Sequence, residues 1–372
     1  MRAAEPSTTH SGHLVPRRGS LGYRPALDGI RGLAILAVVA AHAGFTNGSA
    51  AFVGVDVFFV LSGFLITTLL VEEWDYLGDI DLRLFYWRRA LRILPALILV
   101  CCAFTAVAWI TEPRSDALEV TLDGVYSLCY VANWVRVFGH LQASLFAHTW
   151  SLGIEEQFYL VWPLALILLL RRTESRKSLA YWLVLVIVLV NVYRIVFFTE
   201  EFRISRGTDT RADALMIGAL AGILFSSNLI SQACWFRRLS TSAGFVSMSG
   251  LLLISVFDWF RRDINIFVRC IYPLVSLFGA ALIMELLNSP DGWMCKVLSR
   301  RYLVYLGRIS YGLYLWHYPI FRLIEARSLS RTAELSLELS ISLAVTILCY
   351  HFVEKPILKY KRRATPWQMA SR

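Results

Sequence analysis

Two ionisable residues in one apolar stretch could together bind an anion and move a proton. Arg31 and His42 are separated by ten residues in the stretch 28–44. A helix with about 100° and 1.5 Å per residue would place both side chains on one face, about 16.5 Å apart along its axis. Guanidinium groups bind phosphate bidentately, and a neutral imidazole can act as a general base. A snorkelling arginine and an interfacial histidine would show the same spacing, so the pair alone does not establish a site.

Further basic residues precede the third apolar stretch. Arg88, Arg89 and Arg92 come shortly before Pro95, and Arg89 and Arg92 fall one turn apart on one helix face. Such a pair could clamp a phosphate group, although arginines that only set membrane topology show the same pattern.

Carboxylates and other polar residues interrupt further apolar stretches. Asp56 could be a partner of His42 across a short turn, or a simple interface charge. Glu155 and Glu156 lie deeper in their stretch than helix capping requires. Ionisable groups are costly inside a membrane unless they face a cavity or a partner, so together these residues predict a polar cavity. Taken by itself, His317 would be typical of a hydrogen-bonded core histidine. The remaining candidates are Asp28, Ser62, Trp150, Asp209, Arg211, Tyr314 and His317.

Membrane-spanning helices are the elements that would position these residues. Of the 372 residues, 57% are hydrophobic and 17% are charged, whereas an average soluble chain is about a quarter charged. This composition excludes a disordered chain. The net charge of +10 comes from basic residues that flank apolar runs, which disfavours a nucleic-acid binder. The seven cysteines show no disulfide framework or zinc-site spacing.

The apolar stretches predict an all-α, polytopic membrane protein with about ten transmembrane helices around a central polar cavity. A span needs about 20 apolar residues, and ten stretches approach this length. They lie near 28–44, 53–71, 93–111, 153–170, 179–198, 212–226, 241–257, 266–287, 302–323 and 335–353.

An eleventh stretch, 122–138, is less convincing as a span. If it does not cross the membrane, the main basic loops fall on the cytoplasmic side. We therefore predict cytoplasmic termini and an outward segment, 112–148, that is re-entrant or lies on the membrane surface. The polar residues that weaken the eleventh stretch are Asp123, Asn133 and Arg136.

The predicted organisation is one membrane domain between two tails. Residues 1–25 would form a mobile cytoplasmic tail, 26–358 the membrane domain, and 359–372 a cytoplasmic C-terminal tail. The alternative is that the first stretch is a signal peptide, with its cleavage site at 41–43.

Seven motifs, in order, resemble those of the acyltransferase-3 family of integral membrane O-acyltransferases. The resemblance covers residues 24–358, and the family's usual ten-helix topology agrees with the apolar stretches. About twenty residues follow the last stretch, so the chain resembles the stand-alone form, without the esterase-like domain of some members. The motifs are Arg31 with His42, 54–64, Arg89 with Arg92, 150–159, 208–213, 310–319 and 354–356.

The resemblance implies an acyl-CoA donor, most often acetyl-CoA, and no metal. His42 would deprotonate a hydroxyl of a carbohydrate-containing acceptor: a cell-envelope polysaccharide, a glycolipid or a glycosylated metabolite. Asp56 or Glu155 would orient the imidazole, and Glu155 could instead bind the sugar. The donor would contact Arg31, Arg88, Arg89, Arg92 and Ser62. The acceptor would contact residues among Asp28, Glu156, Trp150, Asp209, Arg211, Tyr314 and His317. The protein would lie among the lipids of a bacterial inner membrane.

Two other classes of protein fit parts of the pattern. A proton-coupled secondary transporter would also place ionisable residues within its spans, but the chain shows no internal repeat of interrupted segments. A non-catalytic scaffold or sensor would not need so many converging polar groups. For an enzyme, direct transfer and a covalent intermediate on His42 or Ser62 are both open. The sequence gives no indication of oligomeric state.

Overall fold

The computed structural model is all-α over the residues it describes, with no strand among them. Most of the two predicted tails, 1–25 and 359–372, lies outside these residues, as does part of the predicted outward segment 112–148. The described residues are 21–46, 48–139, 144–173, 175–198, 200–227, 229, 234–257, 267–325 and 330–362.

The helices follow one another with short connections. A 3₁₀ turn at Ala147–Thr149 leads into α6, and π-helical turns at Phe267–Ile271 and Tyr350–Glu354 precede α11 and α15. In chain order they are α1 (Pro25–His42), α2 (Gly48–Leu77), α3 (Leu82–Thr111), α4 (Arg114–Leu128), α5 (Ala132–Val137), α6 (Trp150–Arg172), α7 (Arg176–Phe197), α8 (Glu201–Arg206), α9 (Thr208–Ser226), α10 (Cys234–Val256), α11 (Tyr272–Asn288), α12 (Trp293–Leu298), α13 (Arg301–Glu325), α14 (Arg331–Cys349) and α15 (Lys355–Arg362).

Seven helical segments among the described residues are long and apolar enough to cross a membrane, so the protein is polytopic. The other three predicted stretches coincide with α9, α10 and α13. α13 is more polar because it carries Arg301, Arg308, Arg322 and Glu325. The count of ten spans therefore stays a prediction. The seven segments are Pro25–His42, Gly48–Leu77, Leu82–Thr111, Ala147–Arg172, Arg176–Phe197, Arg269–Asn288 and Arg331–Tyr360.

Glycines hold two helix pairs in close backbone contact. A methyl group on Gly307 of α13 would overlap the carbonyl oxygen of Asp28 in α1, and one on Gly32 of α1 would overlap that of Leu303. α2 and α9 meet in the same way, because a methyl group on Gly63 would overlap the Leu215 carbonyl oxygen. Small residues allow such approaches between membrane helices. The contacts fix α1, which carries Arg31 and His42, against α13, which carries Tyr314 and His317.

The stretch 122–138 forms two short helices rather than one long one. α4 and α5 are separated at Tyr130, whose φ of 58° lies in the left-handed region and interrupts the helix. Arg136 donates from one guanidinium nitrogen to both carboxylate oxygens of Asp123, at 3.0 and 2.9 Å, and both side chains are buried. The polar residues of this stretch therefore have hydrogen-bond partners inside the protein: Asp123 accepts from Arg136, and Asn133 accepts from Gln157 of α6.

Candidate active site

Four arginines face one cavity of about 490 Å³, here called the arginine cavity. Arg31 comes from α1, and Arg88, Arg89 and Arg92 come from the first turns of α3. This volume lies in the range of small-molecule sites. The structure thus brings together the four basic residues that the sequence predicted to act together. The cavity is also lined by Ser62, Glu73, Phe85, Leu152, Glu155, Tyr159 and Tyr311, with aliphatic residues between them.

The positive charge of the arginine cavity is only partly neutralised. Arg89 forms an ion pair with Glu156 at 3.2 Å, and its guanidinium lies 3.7 Å from the centre of the Tyr159 ring. Within the described part of the chain, no ion pair is found for Arg31 or Arg92. Arg31 and Arg89 both repel the charge of Arg92, and Glu155 offsets part of this repulsion. An anion in the cavity would relieve this repulsion.

A smaller cavity of about 60 Å³, here called the inner recess, adjoins the arginine cavity. The two share Arg31, Ser62 and Glu155 among their lining residues. Ser62 and Tyr159 both donate hydrogen bonds to one oxygen of Glu155. The predicted donor-binding residue Ser62 and the predicted carboxylate Glu155 therefore meet at the junction of the two cavities. The recess is further lined by Val55, Phe58, Phe59, Ser151, Leu152, Ser310, Tyr311 and Tyr314.

Tyr314 lies between the inner recess and the neighbouring histidines. Its hydroxyl is 2.5 Å from the carbonyl oxygen of His148 and 2.5 Å from Oγ of Ser151. Because a carbonyl oxygen can only accept, Tyr314 donates to His148, and Ser151 in turn donates to Tyr314. This chain of hydrogen bonds links α6, α13 and the 3₁₀ turn before α6.

Three histidines form a cluster beyond Tyr314, here called the histidine cluster: His42, His148 and His317. The ring centres of His42 and His317 are 5.1 Å apart, and those of His148 and His317 are 5.8 Å apart. Tyr318 packs against His42 and His148, with ring centres 5.2 and 5.1 Å away. His317 and His148 are buried, whereas His42 is exposed. His42 is therefore the member of the cluster that an acceptor could reach.

His42 is held at one ring nitrogen. Nδ1 lies 3.0 Å from the carbonyl oxygen of Val38, one turn earlier in α1, and 3.2 Å from Nε2 of His317. The prediction that Asp56 or Glu155 contacts His42 is wrong for the described residues. Asp56 lies in a buried ion pair with Arg211 of α9, because a carboxylate at this depth needs a cation, and Glu155 is held by Ser62 and Tyr159.

The predicted acceptor-binding residues do not form one group. His317 lies next to His42 and Tyr314 packs against His317, whereas Asp28 is at the opposite end of α1, where it accepts from Tyr23 at 3.0 Å. Trp150 is buried, and like Arg211 it packs against Phe59. Glu156 belongs to the arginine cavity through Arg89.

Asp209 lies apart from the histidine cluster, in contact with a short helix. Both of its carboxylate oxygens accept from the guanidinium of Arg203 in α8. These hydrogen bonds raise the pKa of Arg203 above its usual value. Asp209 is thus engaged in a structural ion pair.

Sequence reasoning missed four residues of the site. Tyr159 and Ser151 lie on the α6 face that carries Glu155, at helical spacing of four residues, which could have indicated them. His148 lies just before the motif 150–159, and Tyr318 lies within the motif 310–319, directly beside His317. Their places in the site depend on tertiary packing, which puts Tyr318 next to His42 and His148 next to Tyr318 and His317.

Fold and site together define a polytopic helical membrane protein with a basic cavity beside a histidine cluster. Residues 24–353 match the family model Acyl_transf_3, described as an acyltransferase domain. The chain therefore belongs to this acyltransferase family, as its motifs predict. Membership favours the enzyme over the transporter among the classes considered from the sequence.

The chain is similar to several bacterial proteins. YrhL of Bacillus subtilis (strain 168) is 32% identical over 349 residues, which are 90% of this chain and 55% of that protein. The peptidoglycan O-acetyltransferase OatA of Listeria monocytogenes is 30% identical over 361 residues, 92% of this chain and 57% of that protein. The O-acetyltransferase OatA of Staphylococcus aureus (strain NCTC 8325 / PS 47) is 28% identical over 348 residues, 91% of this chain and 57% of that protein. The chain thus spans little more than half the length of these relatives. No solved structure matches it.

Proposed function

We propose that the protein transfers an acyl group, most simply acetyl, from cytosolic acyl-CoA to a hydroxyl of a cell-envelope carbohydrate, with His42 as general base. The observation that carries this proposal is the continuity of the arginine cavity with the inner recess, which ends beside the histidine cluster. This continuity would allow a polyanionic donor in the arginine cavity to react next to the imidazole of His42.

The arginine cavity suits the phosphates of CoA. Arg31 and Arg92 form no close ion pair with an acid among the described residues, and CoA carries several negative charges on its phosphoadenosine diphosphate end. Arginine binds phosphate through two parallel N–H groups, which gives both affinity and orientation. Arg88 to Arg92 lie next to the loop that the positive-inside rule assigns to the cytoplasm, where acyl-CoA is found. Cytoplasmic termini follow from the same assignment.

The inner recess favours a short acyl group. A cavity needs about 10–15 Å³ of volume for each water-sized group that it holds. The inner recess, with about 60 Å³, therefore accommodates only a few heavy atoms. A thioester sulfur with an acetyl group has four heavy atoms, and a medium-length chain has about twice as many. Phe58, Phe59 and Val55 restrict the recess on the α2 side.

The transfer can proceed by direct attack. His42 takes the proton of the acceptor hydroxyl as the oxygen attacks the thioester carbon, the C–S bond breaks, and the thiolate takes up the proton. Tyr314 separates the recess from His42, so the side chain of Tyr314 must move for the thioester to reach the acceptor. The similarity to the two O-acetyltransferases supports O-acetylation, and the similarity to the Listeria peptidoglycan O-acetyltransferase supports a peptidoglycan acceptor.

Release of CoA tests the proposal. The full chain in lipid nanodiscs is given acetyl-CoA with or without soluble peptidoglycan fragments, and free thiol is measured together with the mass of the fragments. We expect thiol release that depends on the fragments, with an acetyl mass on them. Thiol release without any acetylated product would contradict transfer. An acyl adduct on the protein with donor alone would contradict the direct route.

A further inference from the structure

The protonation of His317 is set by its surroundings. Its Nδ1 lies 2.9 Å from the carbonyl oxygen of Leu313, which can only accept a hydrogen bond, so Nδ1 carries the proton. The side chain is fully buried, and a charged ring is costly there without an acidic partner. A neutral imidazole protonated at Nδ1 has its lone pair at Nε2. This lone pair points at His42.

The same reasoning fixes the tautomer of His42. Both neighbours of its Nδ1, the Val38 carbonyl oxygen at 3.0 Å and Nε2 of His317 at 3.2 Å, are acceptors. Nδ1 of His42 therefore carries the proton and shares it between them, and the basic lone pair is left at Nε2. Nε2 has no hydrogen bond to a described residue, and the His42 side chain is exposed.

Packing holds the ring of His317 in this orientation. The ring of His148 lies 5.8 Å from it and that of Phe321 lies 5.7 Å away, both edge-on. Together with the hydrogen bond of Nδ1 to Leu313, these contacts restrict rotation of the ring. Nε2 of His317, which accepts the hydrogen bond from Nδ1 of His42, is thus held in place by the packing around α13.

We propose that His317 is a positioning residue, which shares with Val38 the Nδ1 proton of His42 and stabilises the imidazolium formed when the basic Nε2 takes the hydroxyl proton. This inference rests on the proposed function. His317 takes the place that a carboxylate occupies in other histidine pairs. As the C–O bond forms and the C–S bond breaks, the charge on His42 strengthens its hydrogen bond to Nε2 of His317. The charge disappears when Nε2 passes the proton to the thiolate.

The expected effect is limited because Val38 still accepts from Nδ1 when His317 is replaced. Partners of this kind typically contribute about 10–100-fold. We therefore expect His317→Leu to lower kcat by about 10–100-fold with little change in KM for acetyl-CoA, since His317 lines neither cavity.

The test compares three substitutions of His317 in the full chain in nanodiscs, with acetyl-CoA and soluble peptidoglycan fragments. The oxygen of His317→Gln can reach the position of Nε2, whereas that of the shorter His317→Asn cannot, so glutamine should restore most of kcat and asparagine should behave like leucine. His351→Leu, at an exposed histidine near Tyr305, is the matched control and should have normal kcat. Histidine-selective ¹⁵N spectra, with the His42 signals identified by their loss in His42→Ala, should show His42 protonated at Nδ1 in both the native chain and His317→Leu, with the Nδ1 signal displaced in His317→Leu because one of its two acceptors is lost.

The outcomes separate the two proposals. Equal kcat for the glutamine, asparagine and leucine variants, or a His42 Nδ1 signal that does not move in His317→Leu, would overturn the positioning role while native activity remains. A native chain without transfer, or full activity in His42→Ala, would instead contradict the proposed function.

Discussion

The arginine cavity and the histidine cluster are neighbours, yet they use polar side chains in opposite ways. The cavity gathers guanidinium groups whose charges exceed those of the acids that face them, so it suits an anion from outside the chain. The cluster consists of rings held by backbone carbonyl oxygens and by one another, with no acidic partner for His42 among the described residues. The arginine cavity suits binding of a charged ligand, and the histidine cluster suits proton transfer. Substitutions in the cavity should therefore change the affinity for acetyl-CoA, and substitutions in the cluster should change kcat.

Replacing His42 should produce the largest effect and leave the cavity intact. We expect His42→Ala to lower kcat by about 10²–10⁴-fold because it removes the general base. Affinity for acetyl-CoA, measured by equilibrium titration, should stay unchanged, since His42 lines neither cavity. His351→Ala serves as the control. Near-normal turnover in His42→Ala would show that the cluster is not the reacting region.

The charge of Asp56 should prove structural rather than catalytic. Asp56→Asn leaves Arg211 buried without its partner, which typically costs about 3–5 kcal/mol of stability. We expect a lower unfolding midpoint in denaturant, with normal specific activity in the protein that remains folded. Asp209→Asn is the matched control, because the ion pair of Asp209 with Arg203 is partly exposed and should contribute less than about 1 kcal/mol. An Asp56→Asn variant that is stable but inactive would instead indicate that Asp56 takes part in the reaction.

Removing charge from the arginine cavity should weaken donor binding alone. Hydrogen bonds to charged groups contribute about 1.5–3 kcal/mol. We therefore expect Arg31→Ala or Arg92→Ala to raise the Kd for acetyl-CoA by roughly 10–100-fold, with kcat at saturating donor close to normal. Arg322→Ala, at an exposed arginine paired with Glu325, should leave Kd unchanged. If Arg31→Ala and Arg92→Ala bind acetyl-CoA with unchanged affinity, these arginines do not bind the donor and serve only to set the membrane topology.

The smallest effect should come from widening the inner recess. Phe58 lines the recess but not the arginine cavity, so Phe58→Ala should admit longer acyl groups. One or two added methylene groups in an apolar pocket shift selectivity by about 1–3 kcal/mol. We expect the rate with butyryl-CoA relative to acetyl-CoA to rise by about tenfold. Phe85→Ala, which widens only the larger cavity, should not change this ratio. An unchanged ratio in Phe58→Ala would mean that the recess does not hold the acyl group.

The sequence predicts the long helices and the group of Arg88, Arg89 and Arg92 well because both are local. Each apolar stretch is a continuous run, and Arg88 to Arg92 lie on one helix turn. The partners of the acids could not be predicted in this way. Asp56 pairs with a residue 155 positions later, and His42 with one 275 positions later. Spacing shows which face of a helix is polar, as for Tyr314 and His317, but not which other helix that face meets.

The glycine contacts have a mechanical consequence. α1 with α13, and α2 with α9, touch backbone to backbone, so neither pair can slide without collision. α3 carries three of the four cavity arginines and packs through side chains, on α4 and on the Leu315, Trp316 and Ile320 face of α13. We therefore expect the width of the arginine cavity to adjust more easily at α3 than between α1 and α13. His42 and His317 lie on α1 and α13, the pair that the glycine contacts hold together.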